Sequence, residues 1–527
     1  MRVVTDYELA KAPASRGEPI LYSHFPGKMH ERTQHGGREE HVIGRRYRGL
    51  FDDNDGSYVT VTMAGSGGAT LIDRDCYGAI PVFYSTRRPL ISTDMRLIVE
   101  IDRPELDSQA LAEYLSAAYL TGGKTIYEGV RSLMPGETIV CDGTILKTRA
   151  KRIFPDVGER DEEEASRLLE AALDNSIADL AARYPGALLL NLSGGTDSTL
   201  LLAKLRETDL RREIATTTYF HDDWRDDLDD WKYAARASEK FGSQHSLVRV
   251  NNASVCREHR DLLLRAQNVF HTYAAAFYAQ NKVVRALGGD VPIVNGSGPD
   301  ESIIGTEKVA IGDLLSLRAL ERDRWIDHLI AEIDYIKIPE AAAIGMLRRP
   351  GQRFVETRKA IAAELLDSLD FVEFQRRYHA LTILQDHIQE LSAVAAVLER
   401  PIVFPYLTND IFRIVFSTRF DVLNARGTYK SILKGLLEKV MPKDFVHRKK
   451  IGFQSPSRPY FKSAAGFGAE LSRLLSRGAS GVLDLSRVEP EVRSRLGADL
   501  DLRGRYDFLE WTAYNILLLE ECRAGHA

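Results

Sequence analysis

Four apolar runs constrain this chain more than any other feature: "GALLLNL" (186–192), "EIATTTYF" (213–220), "HSLVRV" (245–250) and "VPIVNGSG" (291–298). Each has strand length and lies between stretches with the apolar spacing of a helix. Runs apolar on both faces, alternating with helices, predict a parallel sheet covered on both sides. Ligands of such sheets bind beyond the carboxyl ends of the strands. The first run leads into Ser193-Gly194-Gly195-Thr196-Asp197-Ser198 and then a second leucine-rich stretch of helical spacing. Glycines let a backbone approach an anion closely, and a helix N-terminus turns free N–H groups and positive dipole toward it. The turn reads as a cradle for phosphate or pyrophosphate. Neither GxxxxGK[ST] nor GxGxxG follows the strand, so the two commonest nucleotide loops are not signalled. A plain strand-to-helix connection with a serine or aspartate cap is the structural alternative.

The region before about residue 150 has another texture. "GSYVTVTMAG" and "GATLIDRD" read as strands, "PVFYSTRRPLISTD" as two strands around a polar turn, "DSQALAEYLSAAYL" as a helix, and "MPGETIVCDGTILKTRA" as a hairpin around Asp142-Gly143. From Asp161, "DEEEASRLLEAALDNSIADLAARY" reads as a helix whose leading carboxylates suit the N-terminal dipole. Beyond about Gly305 the pattern is largely helical. A length of 527 residues suits two or three domains. We place an N-terminal domain at 1–155 and a second at 156–527. A net charge of -5 provides no sequence-wide basic field for nucleic acid. Cys76, Cys141, Cys256 and Cys522 are scattered without metal-ligand spacing, and read as buried thiols of a reducing compartment. No signal peptide and no apolar run of about 18 residues is present, so a cytoplasmic protein away from the membrane is expected.

The SGGxDS turn after an apolar strand resembles the pyrophosphate loop of the ATP pyrophosphatase family. "NGSGPDESIIG" (Asn295–Gly305) resembles the SGxGxDExxGG loop of the asparagine synthetase-like branch. "YKSILKGLLEKVMPKDFVHRKKIGFQSP" (Tyr429–Pro456) is similar to its K-x-x-L…P…RKKxGFxxP segment. "RDCYGAIPVFY" and "EYLSAAYLTGGKTIYEGVRSLMPGETI" resemble that family's N-terminal glutaminase domain, of the N-terminal-nucleophile hydrolase type. The resemblance implies an α/β architecture: a β-rich degenerate glutaminase domain, then a parallel-sheet ATP pyrophosphatase domain with a helical C-terminal part.

The resemblance also implies roles. Leu192, Ser193, Gly194, Gly195, Asp197, Ser198, Gly296 and Lys430 would hold ATP. Asp197 and Asp300 would bind Mg2+, for which hard carboxylate oxygens are suited. Lys450, with Asp300 and Glu301, would serve the chemistry, the lysine as a fixed cation at the reacting carbonyl and α-phosphate. Lys449 is an ambiguous neighbour. "HDDWRDDLDDW" (His221–Trp231) reads as a solvated loop or helix start lining the site.

Three departures shape the expected function. Arg2 stands where the family's glutaminase has its cysteine nucleophile, and a guanidinium cannot attack an amide, so glutamine is not the expected nitrogen source. Ser297 replaces the family's glutamate or tyrosine and is a poor base, leaving Glu301 and Glu399 as nearby candidates. "LERPIVFPYLTND" (Leu398–Asp410) departs from the family's acceptor segment, so the carboxylate is expected to differ from aspartate.

The expectation is an AMP-forming ligase that adenylates a carboxylate and couples it to an amine, intramolecular or separate, in natural-product biosynthesis. Its partners would be small-molecule or peptide carboxylates and amines, with a homodimer and biosynthetic partner proteins left open. An ammonia-dependent asparagine synthetase and a non-catalytic nucleotide-binding relative are the alternatives.

Overall fold

The computed structural model describes residues 2–4, 20–23, 30–35, 38–64, 68–142, 145–150, 152–209, 211–222, 230–305, 309–349, 351–448, 457–497 and 508–524. Two sheets form the N-terminal region. One has the order β1 (Arg2–Val4), β2 (Ile20–Tyr22), β8 (Leu90–Ser92), β7 (Phe83–Ser85), β9 (Val130–Ser132). The other runs β11 (Ile145–Ala150), β10 (Glu137–Asp142), β6 (Thr70–Arg74), β5 (Asp55–Met63), β4 (Arg38–Tyr47), β3 (His30–His35), with every neighbouring pair antiparallel. The hairpin expected around Asp142 pairs that residue with Ile145. Helix α1 (Ser108–Ala117) takes its cap from Asp107, whose side chain accepts from the Ala110 N–H.

The second half is built on a wholly parallel sheet, β14 (Gln244–Val250), β13 (Ile214–His221), β12 (Leu188–Asn191), β15 (Ile293–Val294), β16 (Ile402–Val403). The four apolar runs supply four of its strands. Leu188, Leu189 and Leu190 are fully buried, as the double-sided apolar pattern requires. Helix α2 (Glu162–Arg183) starts where the acid run predicts: Asp161 accepts from the Glu164 N–H at 2.8 Å, and Glu162, Glu163 and Glu164 fill the first turn. Such a cap contributes about 1 kcal/mol. Helices α3 (Thr196–Thr208), α4 (Asp230–Phe241), α5 (Asn252–Ala266), α6 (Ala274–Asn281), α7 (Ile383–Val397), α8 (Asn409–Ser417), α9 (Ser431–Glu438) and α10 (Leu509–Ala524) account for most of what positions the site.

The two halves share their apolar core. One cluster of buried residues runs from Ile43, Val59 and Ile72 to Leu188, Leu190 and Phe416. Tyr77 meets Phe412 edge-on at 4.9 Å, and Phe154 meets Phe416 likewise at 4.9 Å. A buried ionic knot also crosses between them. Arg358, wholly excluded from solvent, places its Nε 2.8 Å from Glu113 on α1 and its Nη1 2.8 Å from Asp334. Lys124 pairs with the other oxygen of Glu113 at 2.8 Å. Cys141, Cys256 and Cys522 are buried and Cys76 is partly so, and no disulfide joins them. Among the described residues no helix is long and apolar enough to cross a membrane.

His259 on α5 makes the fold acid-sensitive. It is fully buried against Trp511 of α10, ring centres 4.6 Å apart, and its Nε2 lies 2.9 Å from Asn515 Oδ1. Burial, only partly opposed by the Asn515 hydrogen bond, pushes its pKa from 6.5 to about 4. The folded state therefore binds this proton less readily than the unfolded chain, so stability is full above pH 6.5 and declines as pH falls toward 4. The loss amounts to about 3 kcal/mol at the acid end. Urea unfolding of wild type and His259→Phe, compared at pH 7.5 and 4.5, should show the smaller acid loss in the variant. Equal losses would refute the assignment.

Candidate active site

The carboxyl end of β12 opens into the first glycine turn. Gly194 has φ +70°, and a Cβ there would lie 2.5 Å from Ala234 N and 2.8 Å from Asp230 O. The turn thus passes directly under the start of α4. Gly195 caps α3 without any side-chain hydrogen bond, leaving the helix N-terminus to a ligand. The Ser193 N–H donates to Ser198 Oγ at 3.2 Å, and the Gly195 N–H donates to Ser193 Oγ at 3.3 Å. Both hydroxyls therefore sit inside the turn. Tyr406 donates its hydroxyl to the Asp197 carbonyl at 3.0 Å, pinning the first turn of α3 from outside.

The second loop follows β15 on the neighbouring strand. A Cβ on Gly296 would lie 3.3 Å from Ser198 N, so the two loops touch backbone to backbone. Asn295 holds this loop: its Nδ2 donates to Asn191 Oδ1 at 3.3 Å, and its Oδ1 accepts from Ser297 Oγ at 2.6 Å. Asp300 then begins a single π-helical turn, Asp300–Ile304.

Lys430 joins the two loops from a third direction. It precedes α9 with φ +55°, and its N–H is held by Asn424 Oδ1 at 2.7 Å. Its Nζ lies 2.7 Å from Asp197 Oδ2 and also pairs with Asp300. Burial by itself would push the ammonium down, but the two carboxylates outweigh it and hold the pKa well above the usual lysine value. The cation is permanent at any working pH.

These three elements border a cavity of about 1240 Å³, mouth included. Leu192, Ser193, Asp197, Ser198, Gly296 and Asp300 line it, six of the residues expected from the sequence, and Glu301 joins them. Gly194, Gly195 and Lys430 do not line it themselves, but adjoin residues that do, Lys430 through its pairs with Asp197 and Asp300. His221, Asp230 and Trp231 line it too, so the acid-rich stretch does border the site; its 223–229 portion lies outside the described residues, as do Lys449 and Lys450.

Asp197 Oδ1 is buried without a hydrogen-bond partner among the described residues. A buried carboxylate oxygen left open, with a second carboxylate on the same lysine, fits Mg2+, which takes one or two protein carboxylates and completes its shell with phosphate oxygens and water. Among the described residues no cluster of three or more His, Cys, Asp or Glu side chains is poised for a metal, so a cation here would depend on the phosphates it neutralises.

The sequence matches the family described as asparagine synthase over residues 168–511, more than half of the chain's 527. The chain belongs to the asparagine synthase family. Residues 48–150 match the family described as glutamine amidotransferase domain. Asparagine synthetase [glutamine-hydrolyzing] 1 of Bacillus subtilis (strain 168) is 22% identical over 436 residues, which are 74% of this chain and 66% of that relative. The chain thus spans just under two thirds of that relative's length. Among solved structures, NMN synthetase from Francisella tularensis matches with 16% identity and a TM-score of 0.20, over 28% of this chain and 60% of that one. The NH3-dependent NAD synthetase from Campylobacter jejuni subsp. jejuni NCTC 11168 matches with 15% identity and a TM-score of 0.19, over 30% and 65% respectively.

In this asparagine synthase-family chain two expectations need correction. Glu399, offered as a nearby base, is exposed just past the end of α7 with φ +57° and does not line the cavity. The Leu398–Asp410 segment, expected to shape the acceptor pocket, contributes no lining residue. It forms the seam with the N-terminal half, where Ser57 donates to the Leu407 carbonyl at 2.6 Å and the Asp410 N–H donates to Asp55 at 2.8 Å, and reaches the site through Tyr406 on Asp197 and Leu407 under Gly298.

Two site residues escaped the sequence analysis. Arg448 donates to the Gly194 carbonyl at 3.1 Å, pairs with Asp230 and lies 4.1 Å over the Tyr233 ring. It clamps the glycine turn to α4, and its basic cluster was the one available signal. His387 on α7 lines the cavity beside Ser297 and Glu301, and no local pattern marks it.

Proposed function

We propose that this chain is an ATP-dependent, AMP-forming ligase that activates a carboxylate as its adenylate and passes the acyl group to an amine not drawn from glutamine. The observation that carries this reading is Lys430 between Asp197 and Asp300, where two glycine loops meet at the edge of the cavity. Adenylation brings two anions together, so it needs fixed positive charge and oriented N–H groups where pyrophosphate leaves. The turn Ser193–Ser198 offers the N–H groups and hydroxyls, and Lys430 the charge. Bound Mg2+ would neutralise phosphate charge at Asp197 and Asp300. In the first half-reaction a carboxylate oxygen attacks the α-phosphorus and pyrophosphate departs. In the second the amine attacks the acyl carbon and AMP departs.

The cysteine placement supports a nitrogen source other than glutamine. Cys141 lies buried within β10, and Cys76 follows β6 with its N–H held by Asn409 at 2.7 Å. Among the described residues neither lines the main cavities of the fold. In this reading the 1–155 domain is a scaffold for the 156–527 synthetase, the substrates are small-molecule or peptide carboxylates and amines, and the setting is natural-product biosynthesis. ATP–pyrophosphate exchange across a panel of amino acids, dicarboxylates and short peptides tests it, with nucleotide products read by phosphorus NMR. Exchange with at least one carboxylate and release of AMP are expected; ADP release, or no exchange with any, would refute it. The likeness to a named asparagine synthetase favours a second reading, which asparagine formed from aspartate and ammonium in the same assay would establish.

A further inference from the structure

We propose that His387 is the general base that takes the proton from the attacking amine. The inference rests on the ligase reading above and assigns a role which Ser297 cannot fill. His387 projects from α7 into the cavity, one helical turn before Leu391, which lines it as well. Its side chain is 23% exposed, open enough to meet a substrate, while Glu301 beneath it is 13% exposed.

The oxygens placed around the ring favour its role. Nδ1 lies 3.4 Å from Glu301 Oε1, an ion-pair distance at which the carboxylate attracts an imidazolium. Nε2 lies 3.4 Å from Ser297 Oγ. The single proton of that hydroxyl is committed to Asn295 Oδ1 at 2.6 Å. Ser297 therefore presents a lone pair to Nε2, an arrangement that favours an N–H on that nitrogen. Once the ring is protonated, Glu301 Oε1 attracts its charge from one side and Ser297 Oγ offers a lone pair on the other, each 3.4 Å from a ring nitrogen. The site is thus arranged to receive a proton. Tyr273, tilted 31° against the imidazole at 5.1 Å, fixes the ring plane.

The step balances. As the amine nitrogen bonds to the acyl carbon, the carbon–oxygen bond to AMP breaks, AMP leaves with that electron pair, and one amine proton passes to His387 Nε2. Glu301 acts here as a positioning residue. Ser297, a loss when compared with a base at its own position, becomes the acceptor that stabilises the imidazolium.

The test uses the whole chain, Mg2+-ATP and whichever carboxylate of the panel gives the fastest exchange. Three nucleophiles are compared in wild type and His387→Asn: ammonium, methylamine and hydroxylamine. Hydroxylamine is weakly basic and already neutral at pH 7.5, so it intercepts the adenylate with little help. His387→Asn is expected to keep ATP–pyrophosphate exchange and hydroxamate formation within threefold while losing roughly 100-fold or more in coupling to ammonium and methylamine. Glu301→Gln should lose less in coupling, on the order of tenfold. Coupling within threefold of wild type in His387→Asn would overturn the proposal and leave the ligase reading standing. Loss of exchange together with coupling would give the ring a structural role and overturn it. Wild type that forms hydroxamate but couples neither amine would do so as well. Absence of exchange in wild type would overturn both readings.

Discussion

Lys430→Met is expected to cut ATP–pyrophosphate exchange by about a thousandfold or more, the upper range for removing a preorganised charge-stabilising donor. Methionine keeps the length and most of the apolar stem but removes the ammonium from between Asp197 and Asp300. Asp197 is 7% exposed and Lys430 6%, so the carboxylate cannot be rehydrated without opening the loops. Breaking a buried pair by removing one partner typically costs about 3–5 kcal/mol, because an uncompensated charge stays behind. The variant should therefore melt lower than wild type in chelator. It should also gain more from added Mg2+ than wild type does, since Asp197 and Asp300 both lose the Lys430 ammonium. Thermal melts with and without Mg2+ read the second effect independently of activity. Exchange within tenfold of wild type, or equal Mg2+ stabilisation of both proteins, would refute this account of the triad.

Gly194→Ala should be nearly as damaging, for two separable reasons. A left-handed φ of +70° costs an L-residue about 1–2 kcal/mol. Far more serious, the new methyl would lie 2.5 Å from Ala234 N and 2.8 Å from Asp230 O. Both are backbone atoms at the start of α4, so no side chain can move aside. The turn must lift, carrying with it the carbonyl that Arg448 holds and the hydroxyls of Ser193 and Ser198. We expect exchange to fall about a hundredfold, chiefly through weakened ATP binding. Gly242→Ala is the control: its φ is +64°, and nothing lies within 4 Å of its would-be Cβ. It should lose about 1 kcal/mol of stability and keep exchange within threefold. Equal effects of the two substitutions would mean that conformational strain, and not the close approach to α4, makes Gly194 necessary.

Much of this was legible in the chain because it depends on near neighbours. The leucines before Ser193 are buried on both faces as their pattern required. Asp161 caps its helix three residues on, and the hairpin at Asp142 closes within a few residues. The loops carrying Asp197 and Asp300 announced themselves through glycine and family likeness. What escaped lies far apart in sequence. Ser297 meets His387 across 90 positions, Tyr406 meets Asp197 across 209, and Arg448 meets Gly194 across 254. The helix bearing His387 reads as ordinary core, since Leu384, Ile388 and Leu391 set its periodicity. The errors at Glu399 and around Pro405 have the same origin. Departure from a family segment marks a changed environment but not which one, and here that environment takes in both the seam with the N-terminal half and, through Tyr406, the first turn of α3.

By itself the sequence determined the order and type of the elements, the parallel sheet, the two glycine loops at strand ends and the family to which they belong. Hydrophobic period, caps and turn chemistry act over two to five residues, and they survive in any context that buries the same faces. Only the tertiary structure decided that Lys430 stands between Asp197 and Asp300, that Arg448 clamps the turn, and that His387 rather than Glu399 faces the cavity. Those contacts depend on β12 and β15 lying side by side and on α7 and α9 docking at their carboxyl ends. The chain codes such docking only through the shape and charge of whole packed surfaces.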